Sequence, residues 1–531
     1  AARIQPIRAE HMPSSLTADT PLMEAGFTST IATRLAAELR VQLHVVLSPV
    51  VLFEHPTPRS LNSHLQDVAT TVPDALDGVE KLTSFLEDFL TVAQARFEDP
   101  MECEMGEHAS SLEAQIIMDA TLDPSITLSA RSHPATEPHV ILLTGCTGYL
   151  GAFLLSELLT QTTATIYCLV RATTALDGMR RIQDTMAQYE LLGLPLHRCV
   201  VLPGDISHEN LGLSSDTFDL LAHTVDAVWH NGARVDHVLE YARLRSSNVK
   251  GTAEVLRLAT TGHIKAVHFV STNATSFAAT CSPITEELPL PSAARLTDNQ
   301  LTKEGLINGY VQSKWAAEQL VTQAAHRGVP VTVHKPGRVL SSSTTGACNA
   351  DDLLTRFLVG CVQMGSAPFV TRAVQEYGAS VDKVAAGIVA LGLNAHAHAS
   401  YGTTFLIHER EPASYLPHFF ALGIDYNLSL VDRQLWLNRM RVERSNVMLP
   451  LLHELEGATS SSSVAVPTFD NSQTVAALAR LSRNLGPSLD YNLVRQQLDF
   501  LRRRRVLPPV PVRINHPINW LSQTLHEVHD L

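Results

Sequence analysis

The stretch "HVILLTGCTGYLGAFLLSELL", residues 139–159, decides the fold. "VILLTG" is a short apolar run, as a buried parallel strand should be. Gly145, Gly148 and Gly151 follow at steps of three, and "YLGAFLLSELL" then continues as an apolar helical run. A strand, a glycine turn and a helix form a phosphate cradle. The first two glycines let the backbone turn and come close to a pyrophosphate. The third lets the helix pack on the turn, with its N-terminus toward the phosphates. The expected contacts run from Gly145 through Thr147, Gly148, Tyr149 and Leu150 to Gly151.

Outward from this stretch, short strand runs alternate with helical runs: "TIYCLV", "CVVLPGDI", "DAVWHNGA", "AVHFVST" and "VTVHKPG". That rhythm predicts an α/β fold, a Rossmann-like doubly wound parallel sheet with crossover helices. "TIYCLV" ends in Arg171, where an acid would bind a ribose 2′-hydroxyl. An arginine there favours a 2′-phosphate, so NADPH is the expected dinucleotide, with Arg181 as a second phosphate contact. Asp205 and Ile206, in "GDI", fall where an adenine would lie. Asn231, Gly232 and Ala233, in "HNGA", follow the fourth strand.

"NGYVQSKWAAEQL" places Tyr310 and Lys314 four residues apart, on one helical face. A nearby ammonium is expected to lower the phenol's pKa toward working pH, so that it can hand a proton to an oxyanion. Upstream, "HFVSTNAT" ends a strand with Ser271 and Thr272, whose hydroxyls are candidates to hold the same oxyanion.

The 531 residues, 45% of them hydrophobic, suffice for two or more domains. A net charge of −13 argues against nucleic acid as a partner. The basic run Arg502–Arg505 reads as a solvated helix end. No apolar run reaches membrane-spanning length, so no membrane span is expected. The seven cysteines lack a C-x-x-C pair, which suits a reducing cytoplasm. His396 and His398 have no third ligand in sight, so no metal site is expected. "AARIQPIRAE" has no signal-peptide core, and its missing methionine suggests a piece of a longer chain.

From about residue 136 the chain resembles the extended short-chain dehydrogenase/reductases. Within them it is similar to the thioester reductase (R) domains that end polyketide and peptide megasynthases. The marks are "MDATLDPSI", "TGCTGYLG", "CLVRA", "PGDI", "HNGARVDHVLEYARLRSSNVKGT", "VSTNAT", "GYVQSKWAAE" and "KPGRV". The resemblance implies a triad of Thr272, Tyr310 and Lys314, with Lys314 also binding cofactor ribose. It implies that Asn231, Asn248 and the backbone of Pro336, Gly337 and Val339 line the nicotinamide half. Cys146, Asp236 and Lys335 depart from the usual pattern, and the likeness fades after about residue 400.

"DTPLMEAGFTST" and "LSPVVLFEHPTPRSLNSHL" resemble an acyl carrier domain, a small helical bundle over residues 1–66. The resemblance makes Ser29 the attachment point for 4′-phosphopantetheine, although Thr28 stands where such domains carry Asp. It further implies upstream megasynthase domains and a phosphopantetheinyl transferase as partners. Residues 67–135 are expected to be a linker with helical segments, including "VEKLTSFLEDFLTVAQARF". Residues 136–340 would be the nucleotide-binding core and 341–531 a mixed, mainly substrate-binding part. "TSSSS", residues 459–463, reads as a surface loop.

The expected reaction is NADPH-dependent release of a carrier-bound polyketide or fatty acyl thioester as an aldehyde, with a second hydride giving an alcohol. The alternatives are a non-redox cyclising release domain and a reductase of free acyl-CoA. Tyr310 speaks against the first. A nucleotide-sugar epimerase would share the fold and triad but not the carrier region. A non-catalytic docking module would not bind NADPH.

Overall fold

The computed structural model describes residues 105–127, 134–236, 239–278, 283–286, 308–368, 375–414, 416–443, 446–449, 468–486 and 490–510, with single positions 60 and 452. Ser29 and its expected carrier domain, the amphipathic stretch before residue 100 and the serine run lie outside the described residues. The chain divides into two compact units, residues 1–104 with 432–461 and residues 105–431 with 462–531. In the first, a helix over Arg433–Val442 starts at Asp432, whose carboxylate accepts from Leu435 N at 3.0 Å, and buries Trp436, Leu437 and Met440.

The second unit is built on a seven-stranded, wholly parallel sheet. Its strands are β1 (Val140–Thr144), β2 (Thr165–Val170), β3 (Cys199–Pro203), β4 (Ala227–His230), β5 (Ala266–Val270), β6 (Val331–Pro336) and β7 (Thr403–Ile407). The spatial order is β3-β2-β1-β4-β5-β6-β7 with the last strand outermost. Six of the strands fall on runs read from the sequence; β7, "TTFLI", does not. The order reverses direction at β1 and β4, the point where sheets of this kind take ligands at the strands' carboxyl ends.

Helices cover both faces. α1 (Met105–Asp119) precedes the sheet, α2 (Tyr149–Gln161) links β1 to β2, and α3 (Ala175–Gln188) links β2 to β3. α4 (Ser215–Thr224) leads to β4. α5 (Tyr241–Arg245), a π-helical turn (Ser246–Lys250) and α6 (Gly251–Thr260) lead to β5. α7 (Gly309–His326) leads to β6, and α8 (Val381–Leu393), packed against α2, leads to β7. Trp315 of α7 is fully buried; truncating such a side chain costs about 3–5 kcal/mol.

Part of the stretch read as a linker belongs to this unit. Ile116, Ala120, Leu122 and Ile126 join the core cluster under α6 and α7. Asp119 accepts from the Tyr241 hydroxyl at 2.8 Å and pairs with Arg245. Arg327, at the end of α7, donates to the carbonyls of Leu122 (2.9 Å), Asp123 (2.6 Å) and Ile126 (2.9 Å). "MDATLDPSI" is thus a strap fastened to the core by satisfied polar groups.

Most of the basic run is as read: Arg503, Arg504 and Arg505 are exposed at the end of a helix over Tyr491–Arg503, and Arg502 alone departs. Arg502 is largely buried, stacked on Tyr426 and paired with Asp425 and Asp499, and Arg503 pairs with Glu190 at 3.1 Å. Asp425 is itself buried, and that buried carboxylate is what draws Arg502 in. Among the described residues no helix is long and apolar enough to cross a membrane, and no cluster could hold a metal ion.

Candidate active site

The glycine turn closes on itself at the reversal of strand order. Gly145 has φ +74°, and a Cβ there would meet Gly232 Cα at 2.8 Å. A Cβ at Gly151 would fall 1.9 Å from the Gly145 carbonyl oxygen. Asn231 donates its side-chain amide to that same carbonyl at 3.3 Å, and Gly232 N donates to Thr144 Oγ1 at 2.8 Å. The loops after β1 and β4 are therefore one cradle. α2 begins at Gly148 with no side-chain cap and no acid in its first turn, so its first N–H groups carry no internal partner. Thr147 and Leu150 are half-buried along this turn, and Ala233 lies in the loop beyond Gly232. The Tyr149 side chain is engaged elsewhere: its hydroxyl donates to the carbonyls of Leu340 (2.8 Å) and Ala347 (3.0 Å). Only its backbone is left for the cradle.

Arg171 and Arg181 are both exposed at the carboxyl end of β2, and the Arg181 guanidinium donates to the Arg171 carbonyl. Asp205 follows β3. Burial works to raise its pKa, but hydrogen bonds from Ser207 N and Oγ and the Arg171 charge hold it below the usual carboxylate range. Ile206 packs on Gly232 and Gly251.

α7 starts sharply. Asn308 accepts from Val311 N at 3.0 Å, and a Cβ on Gly309 would strike Leu239 O and Tyr241 N, both at 2.4 Å. This close approach sets where Tyr310 leaves the helix. One turn on, the Lys314 ammonium donates to Val270 O, the last carbonyl of β5, at 2.8 Å, and lies over the Phe269 ring at 4.2 Å. Two residues beyond Val270 comes Thr272, whose Oγ1 accepts from Ala274 N at 3.3 Å. The carboxyl end of β5 and the first two turns of α7 are thus tied together.

The pKa of the phenol is not lowered toward working pH as expected. Burial pushes Tyr310 up to about 12 and Lys314 down to about 7, the latter offset in part by Glu318. Desolvation outweighs the ammonium, which is turned onto a backbone carbonyl. Ser271 also departs from its reading. It is buried and donates to Glu318 Oε2 at 2.6 Å, so its hydroxyl proton is committed inward.

Asn248 sits in the π-helical turn and is spent on the β4 loop and α7. It accepts from Arg234 N at 2.7 Å, and its amide donates to Arg234 O (3.0 Å) and Ser313 Oγ (2.9 Å). As placed, it braces the site's wall. Pro336 ends β6. Gly337 is forced by a close approach, since a Cβ would lie 2.2 Å from Tyr377 O, and half-buried Val339 follows. The residue that sequence reasoning passed over is Glu318, one further turn along the Tyr310–Lys314 face; the i, i+4, i+8 spacing was the available signal.

The family described as "Male sterility protein", an NAD-binding family, matches residues 143–388, and the phosphopantetheine attachment site family matches residues 9–65. The second match covers Ser29. Fold, cradle and these matches define the class: an NAD(P)-dependent reductase joined to a phosphopantetheine-carrying domain.

The terminal R domain of the myxalamid PKS-NRPS pathway is 36% identical, with a TM-score of 0.66 over 75% of this chain and 100% of that one. A linear gramicidin synthase polypeptide of Brevibacillus parabrevis is 36% identical over 376 residues, 70% of this chain but 7% of that protein. The L-2-aminoadipate reductase large subunit of Eremothecium gossypii is 30% identical over 462 residues, 83% of this chain and 31% of that protein. The chain belongs to the family of thioester reductase (R) domains. It spans well under half the length of these curated relatives.

Proposed function

We propose that this chain releases an acyl group from the phosphopantetheine arm of Ser29 by NADPH-dependent reduction of the thioester to an aldehyde. The observation that supports this reading is the Lys314–Val270 tie between β5 and α7, two residues before Thr272 on the strand side and one helical turn from Tyr310 on the other. The turn suits a dinucleotide: Gly145 and Gly151 let the loops after β1 and β4 and the start of α2 close together, and no side chain caps the N-terminus of α2. Arg171 and Arg181 suit a 2′-phosphate. Gly145, Thr147, Gly148, Leu150, Gly151, Asp205, Ile206, Asn231, Gly232, Ala233, Pro336, Gly337 and Val339 would surround the dinucleotide, with Asn248 behind them.

When bound, NADPH supplies a hydride to the thioester carbonyl carbon. Thr272 Oγ donates a hydrogen bond to the oxygen as it gains charge. Tyr310, protonated at neutral pH as any phenol is and raised further to about 12 by burial, transfers its proton to that oxygen and gives a hemithioacetal. The Lys314 ammonium stabilises the phenolate left behind. Collapse breaks the C–S bond, the pantetheine sulfur takes the proton, and the aldehyde leaves. A second round on the aldehyde gives a primary alcohol.

The "FEHPTPRSL" style of the carrier leans toward a polyketide or fatty acyl chain, whereas the relatives named above include a gramicidin synthase. A carrier-bound acyl group covers both. Upstream megasynthase domains would load the arm, and a phosphopantetheinyl transferase would install it despite Thr28. The five cysteines of the described residues are all free thiols, which suits work in the cytoplasm.

The test is NADPH oxidation by the phosphopantetheinylated, acyl-loaded chain, with Tyr310→Phe and Ser29→Ala beside it. Loss of turnover in both variants supports delivery in cis. Full NADPH oxidation by Ser29→Ala after the same loading treatment and removal of free acyl-CoA contradicts cis delivery, and full activity of Tyr310→Phe contradicts the proton donor.

A further inference from the structure

Beneath the loop that carries Thr272 lies a buried ion pair. Lys335 Nζ meets Glu318 Oε1 at 2.6 Å, with the side chains 3% and 1% exposed. The other carboxylate oxygen of Glu318 accepts from Ser271 Oγ at 2.6 Å and from Thr275 Oγ1 at 2.9 Å. Lys335 also donates to Ser276 Oγ at 2.9 Å. Thr275 Oγ1 lies 2.8 Å from the Thr272 carbonyl oxygen, so its one proton is shared between that carbonyl and Glu318. Three loop residues, one before Thr272 and two after it, therefore converge on a single Glu–Lys pair.

The pair is hydrogen-bonded on both sides, Glu318 to Ser271 and Thr275 and Lys335 to Ser276. Stability alone gives little reason for it: an apolar pair of equal volume is often as stable, since both charges give up water. What an apolar pair would not do is fix the direction of the loop hydroxyls. Glu318 rises from the same helical face as Tyr310 and Lys314, so whatever it holds is held in register with them.

We propose that Glu318, with Lys335 as its counter-ion, is a positioning residue for the thioester reduction: it anchors the 271–276 loop to α7 and so fixes Thr272 relative to Tyr310. This rests on the reading of Thr272 as the oxyanion donor. Neither Glu318 nor Lys335 touches the reacting atoms. They act through the loop.

A double-mutant cycle tests it, using the full chain, NADPH and a soluble acyl-CoA as thioester. Thr272→Ala, Glu318→Gln and their combination are compared for kcat, KM and NADPH affinity. Glu318→Gln should lower kcat about 10- to 100-fold, the cost of a small misplacement. Its KM and NADPH Kd should stay within about twofold of wild type, the spread expected of uncoupled sites. In the Thr272→Ala background the same change should cost less than about threefold, because the group it positions is gone.

Wild-type kcat for Glu318→Gln, or a full multiplicative loss in the combined variant, overturns the positioning role. Wild-type kcat for Thr272→Ala instead overturns the oxyanion reading, a separate result. Should Glu318→Gln leave the protein unfolded, Ser271→Ala with Thr275→Val carries the same cycle. Those changes cut the loop from the carboxylate without stranding a buried charge, and the same non-additivity with Thr272→Ala is required.

Discussion

The Lys314 ammonium donates to the Val270 carbonyl at 2.8 Å. A helix begun at residue 309 is thereby locked to the last residue of a strand that began at 266, two positions before Thr272. The same ammonium is desolvated enough for burial to push it down to about 7, with Glu318 opposing. Lys314 is charged below that value and neutral above it. If its ammonium stabilises the Tyr310 phenolate, kcat/KM for the thioester falls as pH rises through about 7. Initial rates from pH 6 to 9.5 check this, and a flat profile across that range contradicts it. Tyr310, near 12, adds no limb inside the window.

Gly151→Ala is the sharpest test of the cradle. The added methyl would lie 1.9 Å from the Gly145 carbonyl oxygen, and backbone cannot yield as a side chain end can. NADPH binding, followed by nicotinamide fluorescence, should be lost by about 100-fold or more, given the cost of overpacking. Retained affinity would remove the turn from the cofactor site.

Arg171→Ala should weaken NADPH binding by about 10- to 100-fold, the size of a charge-assisted hydrogen bond, and leave NADH nearly unchanged. Titration with the two dinucleotides separates these outcomes. Equal losses for both would show that Arg171 does not read the 2′-phosphate. Arg181 turns its guanidinium onto the Arg171 backbone, so its own replacement should do less.

Three histidines cross the sheet on adjacent strands. Burial, with Lys314 adding to it, holds His230 down to about 3; burial holds His334 down to about 3; burial and then His334 hold His268 well below its usual value. Threonine hydroxyls pair them: Thr144 and Thr252 with His230, and Thr332 with both His268 and His334. Each histidine is neutral when folded and takes up a proton near pH 6.5 when unfolded. The stability they contribute is whole above about 6.5 and is lost as pH falls below it, at about 1.4 kcal/mol per pH unit for each group that stays neutral in the fold. Calorimetric Tm should drop clearly between pH 7.5 and 5, and His334→Phe should flatten the slope. A Tm unchanged over that interval contradicts the assignment.

The sheet was readable because each of its first six strands is a β-branched run bounded by glycine, proline or a polar cluster. β7 escaped because Thr403–Ile407 comes long after the β6 run and shows no βαβ rhythm of its own; its pairing with β6 is a tertiary fact. The glycine turn between β1 and α2, and the helix that carries Tyr310 and Lys314, were legible because local structure fixes their spacing. The direction of a hydroxyl was not. Ser271 and Thr272 are neighbours in sequence, and only the buried carboxylate of Glu318 shows that the first is turned inward. The pKa of Tyr310 was likewise out of reach, since it depends on how much water the packing removes.

The most direct measurement is a single turnover of the acyl-loaded chain with NADPH deuterated at the transferred position, the product read by mass. The account predicts an aldehyde one mass unit heavier than the unlabelled product, its appearance matched to NADPH loss and abolished in Tyr310→Phe. Release of an unlabelled acid or cyclised product, with NADPH untouched, would contradict it.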